Sequence, residues 1–286
     1  QGCIGMHYAT RDGEAPEVAA AIVGQYQPRQ AGGQIAPTPA GRCLALADRF
    51  DTLAGVFGIG KKPTGNKDPF GLRRAALGIL RTLIEGELDV SLPEVLAAAI
   101  SVQTCPIADP GALAAELYGF LIDRLRSYYL EGLAPGFPEG SVTPELFESV
   151  RARAPASPLD FHQRLKAVRS FMTLGEAQAL AVANKRIANI LKSAAGETIV
   201  TVDPRLFEDD AERRLDSAVS ALVGPHREDL SARRYADALR RLAGLRGPVD
   251  QFFDAVMVMA PDAAQRRNRL ALLRRLRDLF LDVADL

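Results

Sequence analysis

Residues 174–193 read LGEAQALAVANKRIANILKS, and the pattern of this stretch decides the fold class. Apolar side chains recur at helical spacing, so they share one face of an α-helix. They are Leu180, Ala183, Ile187, Ile190 and Leu191. Lys185, Asn189 and Lys192 stand at i, i+4 and i+7, which forms one polar stripe on the opposite face. The stretch therefore predicts a helix packed on one side and open to a partner on the other.

The same periodicity recurs along the rest of the chain, in residues 40–54, 70–85 and 262–281. Prolines and glycines separate these stretches, as expected of helix breakers. The alternation in 198–202 is strand-like, but five residues cannot build a sheet. We therefore predict an all-α chain with domains at 1–107 and 108–286, divided in the proline-containing segment 104–111.

Composition limits the class of protein. The 286 residues are 48% hydrophobic and 24% charged, which is typical of an ordinary globular protein, and the formal net charge is zero. Three widely spaced cysteines indicate a reducing compartment and argue against a thiolate metal site. No signal peptide and no run of about 18 apolar residues is visible, so we expect no membrane span. The chain begins at Gln1, and we expect a piece of a longer protein.

The first domain contains part of a hydrolase pattern. The Ala-Asp-Arg triplet at Asp48, followed by Asp51, resembles the last metal-ligand segment of HD-type phosphohydrolases. Those enzymes also need a histidine and a His-Asp doublet to hold a metal ion that activates water. This half of the chain offers only His7, and Arg11-Asp12 occupies the place of the doublet. A guanidinium repels a cation, so we predict no bound metal and no catalytic residue here.

Residues 55–70 form a glycine-rich, basic loop before the helix that carries Arg73 and Arg74. The spacing is not that of a P-loop. Such a loop is suited to an RNA backbone, with Lys61, Lys62, Lys67, Arg73 and Arg74 as the candidate contacts. The favoured interpretation is a rigid interhelical loop whose glycines allow close packing.

The second domain offers a basic helical surface. Cations and an amide on one helix face suit the phosphates and exposed base edges of unpaired RNA. The alternative is a solvated face with internal salt bridges. The candidate RNA-binding residues are Lys185, Arg186, Asn189, Lys192, Arg267 and Arg269.

Several segments, in this order, resemble the β subunit of bacterial tetrameric glycyl-tRNA synthetase. They are residues 5–9, 12–14, 25–29, 47–55, 57–60, 63–70, 72–76, 183–191, 250–259 and 268–270. The stretches 67–74 and 252–259 are the most specific. Relatives often have His-Asp-Gly-Glu where this chain has Arg11-Asp12-Gly13-Glu14, which further argues against a metal.

The resemblance implies a C-terminal portion of that subunit: a degenerate HD-like helical domain, then a helical anticodon-binding domain similar to that of arginyl-tRNA synthetases. It implies an α2β2 heterotetramer in the cytoplasm, with the α subunit and tRNA(Gly) as partners and neither DNA nor a membrane. Glycine would be attached at the α-subunit site, which uses ATP and Mg, so this chain would lack an aminoacylation site and a cofactor. The alternatives are a structural module for subunit assembly and an HD-type metal phosphohydrolase.

Overall fold

The computed structural model of the protein describes residues 2–30, 32–198 and 201–286. Within these ranges the chain forms helices and no β-strand; Thr64 and Lys67 pair only as an isolated bridge. The predicted all-α class is therefore confirmed. Of the strand-like stretch 198–202, Ile199 and Val200 lie outside the described residues. The helices are α1 (Cys3–Arg11), α2 (Pro16–Gly24), α3 (Pro39–Gly58), α4 (Leu72–Glu85), α5 (Leu92–Ser101), α6 (Pro110–Leu130), α7 (Pro144–Arg151), α8 (Pro158–Met172), α9 (Ala177–Ser193), α10 (Asp210–Ser231), α11 (Tyr235–Ala243), α12 (Arg246–Ala255) and α13 (Ala263–Leu281).

The chain divides into two compact units. Unit 1 comprises Gln1–Phe147 with Pro155–His162, and unit 2 comprises Glu148–Ala154 with Gln163–Leu286. This division lies further along the chain than the predicted boundary at 107/108. The reason is that α6 packs on α3, α4 and α5 through a buried apolar face that includes Leu117. The boundary at 107/108 and the HD-like label of the first domain stay predictions about domain organisation.

In unit 1, α3 and α4 pack on each other and form the frame on which α2, α5 and α6 pack. Thr38 begins α3 by accepting a hydrogen bond from the Gly41 N–H, and Pro39 follows at the first turn. The apolar face of α4 is fully buried along its length. Within the described ranges, no helix is both long and apolar enough to cross a membrane.

A buried arginine, Arg49 of α3, joins this frame to the segment before it. Its guanidinium donates to the carbonyls of Gln25 at 3.2 Å, Gln27 at 2.7 Å and Ala45 at 2.9 Å. Burial lowers the pKa of the Arg49 guanidinium, against a smaller opposing effect of Asp48. Its side chain passes α4 at Gly78, where the lack of a Cβ leaves the necessary room.

Replacing Gly78 by alanine should therefore destabilise the protein. The new Cβ would lie 2.6 Å from Arg49 Nε, and the carbonyl contacts prevent the guanidinium from moving away. Overpacking costs about 1–3 kcal/mol and the gain in helix propensity returns up to about 1 kcal/mol, so we expect a net loss of about 1–2 kcal/mol. The measurement is the free energy of unfolding in urea.

Gly119→Ala is the matched control for Gly78→Ala. Gly119 also lies inside a helix, α6, but a Cβ there would have nothing within 4 Å. This substitution should stabilise the chain by up to about 1 kcal/mol through helix propensity alone. If both variants changed stability in the same direction, the packing of Arg49 against Gly78 would not be the cause.

Unit 2 is held by α10 and α13, which pack on each other and on the neighbouring helices. Asp209 and Glu212 begin α10 with a capping box, in which each side chain accepts from the other residue's backbone N–H. Leu215 and Val219 of α10 and Leu273 of α13 are all fully buried. This packing fixes the rotation of α13 and so decides which of its many arginines reach solvent.

Candidate nucleic-acid interface

The polar stripe of α9 lies on the outside of unit 2. Lys185, Asn189 and Lys192 are all exposed, whereas Leu180, Ile187 and Leu191 on the other face are buried. Asn184 sits on the buried side and donates from its amide nitrogen to the backbone oxygen of Leu286 at 2.7 Å. That buried contact helps to fix the rotation of α9, so the stripe is presented to solvent by the packing of the helix.

Arg186 flanks the stripe and lies over an aromatic ring. Its guanidinium carbon is 4.1 Å from the centre of the Phe253 ring on α12. This cation–π contact holds an exposed guanidinium in place, and a guanidinium plane is a surface on which nucleobases stack.

The apolar run around Phe253 is only partly buried. Phe252 and Val256 are buried, but Met257 is 69% exposed and Met259 is also exposed. The reason is that α12 ends at Ala255, so the helical periodicity does not extend to these two methionines.

A groove of about 370 Å³ extends the stripe from α9 to α13. Lys192 lines it together with Arg274, Arg277 and Asp278. Arg277 donates to Asp285 at 3.0 Å, while its Nη1 atom is buried and has no hydrogen-bond partner in the described structure. Burial raises the pKa of the Asp278 carboxyl, and this one carboxyl is outnumbered by the cations Lys192, Arg274 and Arg277. The groove therefore presents mainly cationic donors, as a phosphate requires.

Two residues predicted to bind RNA are placed differently. The side chain of Arg269 is 8% exposed, and its Nε lies 2.8 Å from Oε1 of the buried Glu212. It also donates to the carbonyl of Met257, so we remove it from the candidate surface. Arg267 is half-buried and donates to the carbonyl of Ala263 in its own helix. The physical reason is the rotation of α13, which turns Arg269 toward α10.

The glycine-rich loop is mostly exposed, but some of its cations are engaged within the protein. Lys62 pairs with Glu116 at 2.6 Å, and Arg73 donates to the carbonyl of Gly65. Lys61, Lys67 and Arg74 are exposed. The carboxylate of Asp68 accepts the first backbone N–H groups of α4, from Leu72 and Arg73.

The residues of the hydrolase pattern do not come together as a metal site. His7, Asp12, Asp48 and Asp51 are all exposed, and Asp51 accepts a hydrogen bond from Gln103 at 2.8 Å. Within the described part of the chain, no three His, Cys, Asp or Glu side chains are grouped as a cation requires. The absence of a metal stays a prediction.

We expect the purified chain to contain no stoichiometric transition metal. The reason is that a catalytic metal needs about three or more converging ligands, and this region provides one histidine and scattered carboxylates. Elemental analysis after incubation with Mn, Fe or Zn and gel filtration is the measurement. One equivalent of metal that is lost in an Asp48→Ala variant would contradict the prediction.

The sequence matches known proteins along its whole length. Residues 1–136 match the family model described as glycyl-tRNA synthetase beta subunit, and residues 180–286 match the one described as DALR anticodon binding domain. Glycine–tRNA ligase beta subunits of Pseudomonas syringae pv. tomato and Stutzerimonas stutzeri are each 48% identical over 286 residues, and that of Chromohalobacter salexigens is 47% identical over 287. These matches cover all of this chain and 40% of each relative. The chain, which spans about 40% of the length of these curated relatives, belongs to the glycyl-tRNA synthetase β-subunit family.

Proposed function

We propose that this chain is the tRNA-binding C-terminal part of a glycine–tRNA ligase β subunit, and that it supports the attachment of glycine to tRNA(Gly). The observation that carries the proposal is the exposed cationic surface of α9 and α13. It lies within residues 180–286, which match the anticodon-binding family model. We define the anticodon surface as Lys185, Arg186, Asn189, Lys192 and Arg274.

The anticodon surface has three kinds of group that unpaired RNA requires. Lys185, Lys192 and Arg274 are exposed cations for phosphates, which position RNA without reading its sequence. The amide of Asn189 can donate to and accept from a base edge. Arg186, held over Phe253, offers a plane for stacking. Because the bases of an anticodon loop are unpaired, all three kinds of contact can form at once.

The partners and cofactors belong to the same proposal. The α subunit would be the protein partner and would carry the aminoacylation site, where ATP and Mg are used. This chain would bind no cofactor of its own and would act in the cytoplasm. The exposed cations of the glycine-rich loop, Lys61, Lys67 and Arg74, would add contacts to the tRNA backbone.

A binding and footprinting experiment tests the proposal. Fluorescence anisotropy would measure the affinity of this chain for tRNA(Gly) and for its isolated anticodon arm, and nuclease footprinting would locate the contact. We expect protection of the anticodon loop, and weaker binding by an arm with an altered anticodon. A module that serves only subunit assembly would bind the α subunit but would not protect the anticodon loop, either alone or in the assembled enzyme. That result would overturn the proposal.

A further inference from the structure

A cavity of about 450 Å³ opens in unit 1 beside the beginning of α4. Its walls include two aromatic side chains, Tyr26 and Phe70, and the guanidinium of Arg74. Asp48 and Thr52 line it as well. Phe70 is 53% exposed, and Arg74 is also exposed. An exposed aromatic ring beside a cation is not explained by packing, since neither group is buried against the core.

One wall of this cavity is rigid. Arg49 lines it, but the guanidinium of Arg49 is occupied by the carbonyls of Gln25, Gln27 and Ala45. The segment that carries Tyr26 is thereby fixed to α3. The cavity is therefore preorganised on this side, and a ligand would meet Arg74 as an available cation.

A second cavity, of about 320 Å³, shares Arg74 with the first. It adds Arg73 and Arg124, and the Nε atom of Arg124 is buried without a hydrogen-bond partner in the described structure. Two carboxylates also line it. That of Asp68 is taken up by the N–H groups of Leu72 and Arg73, whereas Glu131 is exposed. Three guanidiniums, one with an unused buried donor, are suited to a phosphate.

We propose that the two cavities together bind one nucleoside monophosphate unit. The base lies against Phe70 and Tyr26, because aromatic faces stack on any base. Asp48 and Thr52 accept hydrogen bonds from the amino group of the base or from the ribose hydroxyls. Arg74 stands between the two halves and binds the phosphate with Arg124. The unit is either a free nucleotide or an unpaired nucleotide of an RNA; both offer the same base, ribose and phosphate.

This site goes beyond the proposed function: it shares no residue with the anticodon surface, and of the loop cations proposed to contact the tRNA backbone it uses only Arg74. The test uses calorimetric titration of the whole chain, freed of nucleic acid, with AMP, adenosine and inorganic phosphate. We expect saturable binding of AMP, and at least about tenfold weaker binding of adenosine and of phosphate, because each occupies only half of the site. Equal affinities for AMP and adenosine would overturn the phosphate half, and no saturation by about 5 mM AMP would overturn the site.

Three variants locate the site. Phe70→Ser should lower the affinities for AMP and for adenosine by similar factors of about ten. Arg74→Met should lower the affinity for AMP about tenfold and the affinity for adenosine by less than about twofold. Arg11→Ala removes an exposed cation of unit 1 that lines neither cavity, and it should bind AMP like the parent. Parent-like affinities of both Phe70→Ser and Arg74→Met, with circular dichroism confirming the fold, would overturn the assignment.

Competition by RNA distinguishes the two sources of the nucleotide. An RNA hairpin with an unpaired 3′ overhang would displace AMP if the site takes an RNA nucleotide, and the same hairpin with a blunt end would not. If neither hairpin displaces AMP, the site takes a free nucleotide; either result supports the shared chemistry. AMP binding is measured without tRNA. If AMP does not bind, the proposal for the anticodon surface still stands. If the footprint shows no contact with the anticodon loop, the proposal for the AMP site still stands.

Discussion

Replacing Glu212 by alanine is expected to lower the free energy of unfolding by about 3–5 kcal/mol, since it removes the buried partner of a buried guanidinium and leaves only the exposed Glu208, 3.5 Å away. The side chain of Glu212 is 1% exposed and that of Arg269 is 8% exposed, with Nε and Oε1 2.8 Å apart. Glu212 also accepts the backbone N–H groups of Glu208 and Asp209 at the beginning of α10. One substitution therefore removes a buried charge pair and a helix cap, and urea unfolding measures the loss.

Asp216→Ala is the matched control for this prediction. Asp216 and Arg275 join the same two helices at 3.0 Å, but their side chains are 18% and 37% exposed. Water already solvates this pair, so its loss should cost no more than about 1 kcal/mol. If Glu212→Ala cost no more than Asp216→Ala, the buried pair would not be what holds α13 against α10.

The same pair makes stability sensitive to acid. Burial by itself would raise the pKa of the Glu212 carboxyl, but hydrogen bonds from Arg269 and from the backbone of Asp209 and Glu208 outweigh burial and lower the pKa below 4.5. A carboxyl with a lowered folded-state pKa stabilises the fold above its unfolded pKa, and this contribution is lost as pH falls through the folded value. The difference in unfolding free energy between the parent and Glu212→Gln should therefore shrink below about pH 4.5. A difference that stays constant or grows there would contradict this sign.

Removing three cations of the anticodon surface should produce the largest effect on tRNA binding. The affinity for tRNA falls with salt, and each lost phosphate contact lowers the steepness of log affinity against log salt concentration by about 0.7–0.9. The combined variant Lys185→Ala, Lys192→Ala and Arg274→Ala should therefore lower this salt slope by about 2.1–2.7. Between 50 and 200 mM salt, the affinity of the parent should then fall roughly 20–40-fold more than that of the variant. Anisotropy titrations of tRNA(Gly) at four salt concentrations measure both slopes.

A control with the same change in net charge is available in unit 2. Arg213, Arg240 and Arg246 are exposed and pair with Asp210, Asp237 and Asp250 on the surface. Replacing all three by alanine removes three positive charges outside the anticodon surface. If this control lowered the salt slope as much as the first triple variant, binding would depend on net charge rather than on the anticodon surface.

Asn189→Ala separates sequence reading from electrostatic attraction. If the Asn189 amide reads a base, its loss should cost on the order of 1–3 kcal/mol of binding, by analogy with bidentate base contacts in DNA. The salt slope should stay unchanged, and the loss should shrink on a tRNA with an altered anticodon. An equal loss on both tRNAs would contradict base reading.

Local sequence was enough to predict several of the helices and the exposed polar stripe of α9. The apolar spacing in α9 predicted both its buried face and its exposed stripe, because helical periodicity depends only on residues within a few turns. The same reasoning gave the all-α class. Thr38 and Pro39 likewise stand where α3 begins, since caps are local hydrogen bonds.

Only the tertiary structure decided which arginines of α13 are available to a ligand. Arginines occur on several faces of this helix, so its sequence does not distinguish Arg269, which is buried, from Arg274, which is exposed. The choice depends on Glu212, 57 residues earlier in the chain, and on the packing that brings Arg274 beside Lys192. Residue spacing determines which side chains share a helix face, whereas the partner against which that face packs determines whether they are buried or exposed.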